Sequence, residues 1–412
     1  MIMKNFLNLS VWVIIISSLF SCDITPPDVP DRPDLNKGDT VLRTLLLYAM
    51  AENSLSNYVQ SDIDEIFKAT LFIPNDCRLF AYVDDSNPSY TPYICQFYNN
   101  GGVPVKDTIF VFDNDFCSSD AVAFADVLDM LLTDYPTNAL DLVMWSHGDG
   151  WLRNSNKTAP ARSIGIDNGK NSYSNVSTDV IDIEELAAVL ENLPVKIDRL
   201  MFDACFMQTV ETAYALRNAA EWIIASPAEI PGDGAPYDRL VSLFFSQTAG
   251  VEDIIDEYKL AYDSSSTGVV LSAVKCENVQ LLADATYPYI EKYFNKDSVI
   301  NVGDVFSYLN NGYYSSSVSY PAFFDMNAVM LEHLNDSEYA EWKKILDETV
   351  CYLNFSEKWY TAVLGRYIET NQSVCSGISM YIPQDKGVNE RFNNDFATTE
   401  WYFAAGWNEA GW

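Results

Sequence analysis

Histidine is almost missing from this chain: 412 residues contain two, His147 and His333. Two isolated histidines and no C-x-x-C pair leave no spacing for a structural zinc site. Positive charge is scarce as well. Lys and Arg number 25 against 58 Asp and Glu, a net charge of −33. That balance excludes nucleic acid as a partner, because phosphates are neutralised by cationic side chains. No G-x-S-x-G elbow follows an apolar run, which removes an α/β-hydrolase. The Gly148-Asp149-Gly150 turn lacks the third glycine of a dinucleotide-binding loop. After the N-terminal segments there is no internal repeat and no low-complexity block. The apolar run Leu9 to Phe20 is too short to cross a bilayer comfortably.

The N-terminus instead has the layout of an export signal: one charge at Lys4, the apolar run, then Leu19-Phe20-Ser21-Cys22. Residues 1–21 are read as a lipoprotein signal peptide. Cys22, directly after the cut, resembles a bacterial lipobox cysteine, so a lipid on Cys22 is expected to hold the protein to a membrane. Residues 22–39, rich in proline and aspartate, form an extended tether with almost nothing to bury. The expected location is the bacterial cell envelope, facing periplasm or exterior. Export permits disulfides, but the six cysteines other than Cys22 and Cys205 allow 15 pairings, among which sequence does not choose.

Beyond the tether, apolar content of 48% supports a sizeable core. Short apolar runs alternate with helical patterns. Thr40 to Met50 suits a central parallel strand, Tyr58 to Thr70 a helix, and Arg78 to Asp84 a second strand. Pro92 to Tyr98 and Thr108 to Phe112 flank Asn99-Asn100-Gly101-Gly102 as a hairpin. Ser119 or Asp120 caps a helix reaching Tyr135, and Asp182 caps another. Gly268 to Val274 and Gly377 to Pro383 read as further strands. This order predicts an α/β fold, with a mostly parallel sheet covered on both faces. Residues 40–275 are expected to form the core, and 276–412 a mixed helical α/β extension packed on it.

Two strands carry the chemistry. Leu140 to Trp145 leads to Ser146-His147-Gly148, and Leu200 to Phe202 leads to Asp203-Ala204-Cys205. Carboxyl ends of parallel strands are where ligands and reacting groups collect. A Cys and a His delivered to one crevice make a nucleophile with its proton carrier. A helix from Met207 to Asn218 is expected to favour the Cys205 thiolate through its N-terminal partial charge. Gly148 and Cys205 offer backbone N–H groups for an oxyanion hole. Asp203, two residues before Cys205, points to the same face, where a carboxylate suits an Arg or Lys side chain. Glu229 and Asp233 are further candidates for that pocket. His333, on a predicted helix, lacks such a setting and reads as structural.

S-H-G-D-G-W, F-D-A-C and the downstream A-S-P-A-E-I-P-G-D-G-A-P-Y together resemble the clostripain family of cysteine peptidases, related in fold to caspases, gingipains and legumains. A-E-N-S-L-S after the first strand and S-G-I-S-M-Y-I-P near the end extend the likeness from about Thr40 onward. The separation of His147 from Cys205 is close to the roughly 50 residues seen in caspases. The resemblance implies a caspase-like three-layer sandwich and cleavage after Arg or Lys in protein or peptide substrates. It also implies self-cutting in the polar loop that carries Arg153, Lys157 and Arg162. Calcium dependence is implied too, although no Asp-x-Asp-x-Asp-Gly loop names ligands; the peptide chemistry itself requires no metal or cofactor. A monomer is expected. The rival expectation is a silent peptide- or glycan-binding lipoprotein on the same scaffold.

Overall fold

The computed structural model describes residues 37–153, 163–169, 180–263, 265–297, 300, 302, 303, 305–309, 322–383 and 390–412. The signal, Cys22 and most of the tether lie outside them.

The opening apolar run is a strand, β1 (Arg43–Ala51). Its side chains alternate between two cores: Leu46, Tyr48 and Met50 enter one, Leu45, Leu47 and Ala49 the other. Burial on both faces is why this strand reads as a continuous apolar run rather than as an alternating one. The helix α1 (Ser56–Ala69) leads to β2 (Cys77–Asp85), parallel to β1, and then to the hairpin β3 (Tyr93–Asn100) and β4 (Val103–Val111). Asp120 caps α2 (Ala121–Asp134) through hydrogen bonds from the Val122 and Ala123 N–H groups.

The chain then crosses to the other side of β1. β5 (Leu140–Trp145) pairs with β1, β6 (Ile197–Asp203) with β5, and β7 (Ala220–Ala225) with β6, all parallel. The α3 helix (Ile183–Glu191), N-capped by Asp182, joins β5 to β6, and α4 (Val210–Ala215) joins β6 to β7. After α5 (Tyr237–Phe244) and α6 (Val251–Ala261), β8 (Val270–Lys275) runs antiparallel to β7. The α7 helix (Val279–Tyr293), β9 (Phe324–Asp325), α8 (Met326–His333) and α9 (Asp336–Thr349) precede β10 (Val350–Phe355). β10 adds to the edge of the same sheet, giving the order β10-β8-β7-β6-β5-β1-β2-β3-β4. The sheet and one core thus run across residue 276, where the sequence placed a boundary.

α1, α5 and α6 cover one face, while α2, α3, α4, α7 and α9 cover the other. The predicted three-layer α/β architecture is present. Gly377 to Pro383 is a correction: only β13 (Ser379–Met380) is strand, paired with β9, and the hairpin β11 (Lys358–Thr361) and β12 (Arg366–Glu369) stands apart from the main sheet. Because β1 connects to β2 on one side and lies beside β5 on the other, the strand order reverses between β1 and β5. A crevice opens at that kind of reversal.

Candidate active site

At the carboxyl ends of β5 and β6, Trp145 and Asp203 are paired in register. His147 and Cys205 each lie two residues beyond that pair. Both line one cleft of about 510 Å³, together with Ser54, Tyr58, Asp203, Glu229, Ala362 and Val363. Ser54 arrives from the turn after β1, and its Oγ lies 2.9 Å from His147 Nε2. Three successive strands of the sheet therefore converge on the imidazole and the thiol.

The glycines beside His147 are required by packing. A Cβ on Gly148 would sit 2.8 Å from the Cys205 carbonyl oxygen and 2.7 Å from Met207 Sδ. A Cβ on Gly150, whose φ is +62°, would meet the Phe206 carbonyl oxygen at 2.8 Å. The two strand-end turns thus interlock backbone to backbone. The bridge between Gly148 and Ile164 is closed by the His147 carbonyl and the Asp149 N–H, so the Gly148 N–H stays out of that ladder.

Cys205 does not open a helix. Phe206, with φ +58°, is the single non-glycine residue of positive φ among the described residues. That conformation costs on the order of 1 kcal/mol or more. It persists here because the Phe206 N–H donates to the Ala228 carbonyl and its ring stacks on Phe323 at 4.6 Å. The turn delays α4 until Val210, with Thr209 as N-cap, and the helix is only six residues long. A helix end acts within about one turn, so the expected dipole support for a thiolate is absent. Burial, with Glu229, Asp149 and Asp203 adding to it, pushes the Cys205 thiol up to about 12; the Ile230 N–H, 3.4 Å from Sγ, pulls the other way.

Asp203 forms the floor of the cleft. It is 3% exposed and accepts from the Ala235 N–H at 2.9 Å, Tyr237 OH at 2.8 Å and Tyr258 OH at 3.0 Å. Burial raises its pKa, and these three donors hold it down. A carboxylate has about four acceptor sites, so these three donors leave capacity for one more. Behind it, Asp62 on α1 is 2% exposed, and burial together with Asp203 pushes it up to about 9.

Glu229 lines the cleft too, yet one of its oxygens accepts from the Val363 N–H at 3.2 Å. It therefore ties the turn between β11 and β12 to the mouth of the cleft. Asp233 is a correction: it is exposed and absent from the lining, since Gly234, with φ +61°, turns its backbone onto Asp203. Arg153 pairs with Glu184 at 2.6 Å, whereas Lys157 and Arg162 lie outside the described residues. His333 is structural as expected, with Nδ1 2.8 Å from the Val329 carbonyl oxygen and its ring against Phe294. All seven described cysteines are free thiols. No helix of the described residues is long and apolar enough to cross a membrane.

Ser54 and Tyr237 lie within the motifs quoted above but were given no role there, and Tyr258 went unnoticed. Ser54 had a signal, its place in the turn just past the end of β1. Tyr258 had none, because it arrives from α6, 55 residues after Asp203. A separate group of acids gathers one strand over: Glu52, Asp84 and Asp115 bring carboxylate oxygens within 4.8 Å of one another.

Comparison with known proteins places these features in context. The Clostripain family, of peptidase class C11, matches residues 47–412. Clostripain of Hathewaya histolytica is 26% identical over 237 residues, covering 52% of this chain and 43% of its own. The match thus spans less than half the length of that relative. A secreted C11 cysteine protease of Bacteroides thetaiotaomicron, solved with an irreversible peptide inhibitor, superposes with a TM-score of 0.76 at 27% identity, covering 89% of this chain and 99% of that one. An inactive zymogen C11 protease of Parabacteroides distasonis gives 0.73 at 25% identity over the same shares.

Proposed function

This chain belongs to the clostripain family of cysteine peptidases, and from that premise we propose that it hydrolyses peptide bonds after Arg or Lys, with Cys205 as nucleophile and His147 as proton carrier. The observation that carries the reading is the convergence of Cys205, His147 and the buried Asp203 on one cleft.

The basic side chain of the substrate enters the cleft and meets the Asp203 carboxylate, whose charge Tyr237, Tyr258 and the Ala235 N–H already stabilise. The Cys205 proton passes to His147 as Sγ attacks the carbonyl carbon. The oxyanion faces the N–H groups of Gly148 and Cys205, and the close packing of Gly148 on the Cys205 carbonyl keeps the two donors together. His147 then protonates the leaving amine, and a water attacks the thioester while giving its proton to the imidazole. Ser54 Oγ restrains the ring between these steps. No metal takes part in the bond-breaking. Glu229 acts mainly by holding the 361–363 turn over the cleft.

The protein is exported and anchored through a lipid on Cys22, acts as a monomer, and is cut in the loop carrying Lys157 and Arg162. The secreted Bacteroides relative supports export. Arg153 is the weaker cutting point, because Glu184 holds its side chain.

The test is labelling with a peptidyl-arginyl chloromethylketone, followed by mass spectrometry of the modified peptide. Alkylation at Cys205, lost in His147→Ala, is the expected result. A protein that binds basic peptides but leaves Cys205 unlabelled is the silent binding lipoprotein instead.

A further inference from the structure

A second cavity, of about 990 Å³, adjoins the catalytic cleft and is nearly twice its volume. Ser54 lines both spaces, and its Oγ lies 2.9 Å from His147 Nε2. The cavity is bounded by the start of α1, through Asn57 and Gln60, by the 85–91 segment after β2, and by the β3–β4 hairpin, through Tyr93 and Thr108. The 85–91 segment is pinned near both ends. The Ser86 N–H donates to Ser56 Oγ at 3.0 Å, and Thr91 Oγ1 donates to the Phe112 carbonyl at 2.6 Å. The space is therefore formed in advance of any ligand.

Its lining is mostly amide and hydroxyl side chains, with Asp85 and Lys106 as its charged members. Amides and hydroxyls both donate and accept hydrogen bonds. That suits a peptide main chain, which brings one donor and one acceptor with each residue. The order of the sheet then gives such a chain a direction. The strands run β6-β5-β1-β2-β3-β4, and Cys205, His147 and Ser54 follow the carboxyl ends of the first three. Crossing the sheet from Cys205, one meets His147, then Ser54, then this cavity. The catalytic cleft extends the other way, to Glu229 beyond β7 and to the 361–363 turn. During hydrolysis the acyl part stays on Cys205, and the leaving amine sits at His147, which protonates it. Residues that follow the cut bond must continue past Ser54.

We propose that this cavity binds the leaving side of the substrate, the stretch of extended polypeptide that follows the scissile bond. From β1 to β4 is three strand spacings, roughly 14 Å, which about four extended residues cover. The enzyme accordingly favours cuts inside a chain over removal of a small group from a terminal Arg or Lys. The direction of the bound peptide, unlike the cavity's affinity for it, rests on the peptidase reading above.

The two parts separate experimentally. The full-length chain carrying Cys205→Ala is titrated, by fluorescence anisotropy, into three peptides labelled at the amino terminus. One ends in arginine amide; the others extend it by about five Ser and Ala residues, on the carboxyl or on the amino side of the arginine. The carboxyl extension is expected to tighten Kd at least about tenfold. Thr108→Trp, which fills the cavity from an exposed position, should abolish that gain and leave the gain from an amino extension intact. Asn57→Trp, from the exposed face of α1, gives the same reading should Thr108→Trp misfold. Equal affinity with and without the carboxyl extension overturns the proposal, as does a gain that survives both tryptophans. Loss of the amino-side gain instead reverses the peptide and overturns its direction. In the wild-type chain the carboxyl extension should raise kcat/KM by a similar factor. Absence of cleavage of every peptide, alongside the measured gain in binding, removes the peptidase reading and leaves the cavity as a peptide site.

Discussion

The two ends of the parallel strands treat buried charge in opposite ways. At the amino ends, Asp141 is fully buried, and the Arg199 guanidinium meets both of its oxygens, at 2.7 and 2.6 Å. Arg43 adds a further contact at 2.8 Å and reaches on to Asp198. Every partner is a fixed cation, and the arrangement is closed. At the carboxyl ends, Asp203 is buried against hydroxyl and amide donors, and Glu52 against other acids. Charge neutralised from within holds three strands in register. Charge left for something arriving from outside makes a binding site. The sheet keeps the two kinds about one strand length apart.

Substitutions at each end should separate these roles. The largest effect belongs to Cys205→Ala, expected to cut hydrolysis of Arg and Lys fluorogenic peptides by at least about a thousandfold while leaving Tm unchanged. Residual turnover near the wild-type rate would remove Cys205 as nucleophile. Asp203→Asn comes next, with kcat/KM for Arg and Lys peptides falling about a hundredfold. Peptides with a neutral residue at that position should change far less, and a uniform loss across all substrates would make Asp203 a structural brace only.

The amino end should respond in stability instead. Arg199→Met leaves Asp141 short of its bidentate partner and should cost about 3–5 kcal/mol in urea unfolding. Substrate preference per folded molecule should stay unaltered; a changed preference would blur the division between the two ends.

Asp62 provides a subtler contrast. Its pKa lies above that of an unfolded aspartate, so the folded state holds the proton more tightly. The associated stability is fully present below the ordinary aspartate pKa and is lost as pH rises through about 9. Tm should therefore decline from pH 5 to pH 9, and Asp62→Asn should flatten that decline. An identical slope in the variant would assign the pH dependence elsewhere. Smallest of all, Glu229→Gln keeps an acceptor for the Val363 N–H and should lower kcat/KM only about twofold. A hundredfold loss would promote Glu229 to direct contact with the basic side chain.

The boundaries of β1, β2, β5 and β6 were legible to within a few residues, because strands buried on both faces leave continuous apolar runs. His147, Cys205 and Asp203 were legible for a related reason: polar residues at the ends of such runs have no core to enter. The helix after Cys205 was misread. Ala204 to Gln208 is compatible with a helix, whereas contacts from distant segments, among them the Ala228 carbonyl and the Phe323 ring, hold Phe206 in its left-handed turn. Asp233 was misread too, because its flanking glycines look alike in a string, while the φ of Gly234 turns the backbone rather than the carboxylate toward the cleft.

By itself the sequence determined the alternation of buried strands and covering helices, and which strand ends carry a thiol, an imidazole and an acid. Those properties are local, written in runs of side chains a few residues long. Only the tertiary structure decided which donors surround Asp203, that burial pushes the Cys205 thiol's pKa up, and that three acids from separate elements meet beside Ser54. Desolvation and proximity are sums over every neighbour in space, and residues such as Tyr258 and Asp115 become neighbours only when the sheet closes around them.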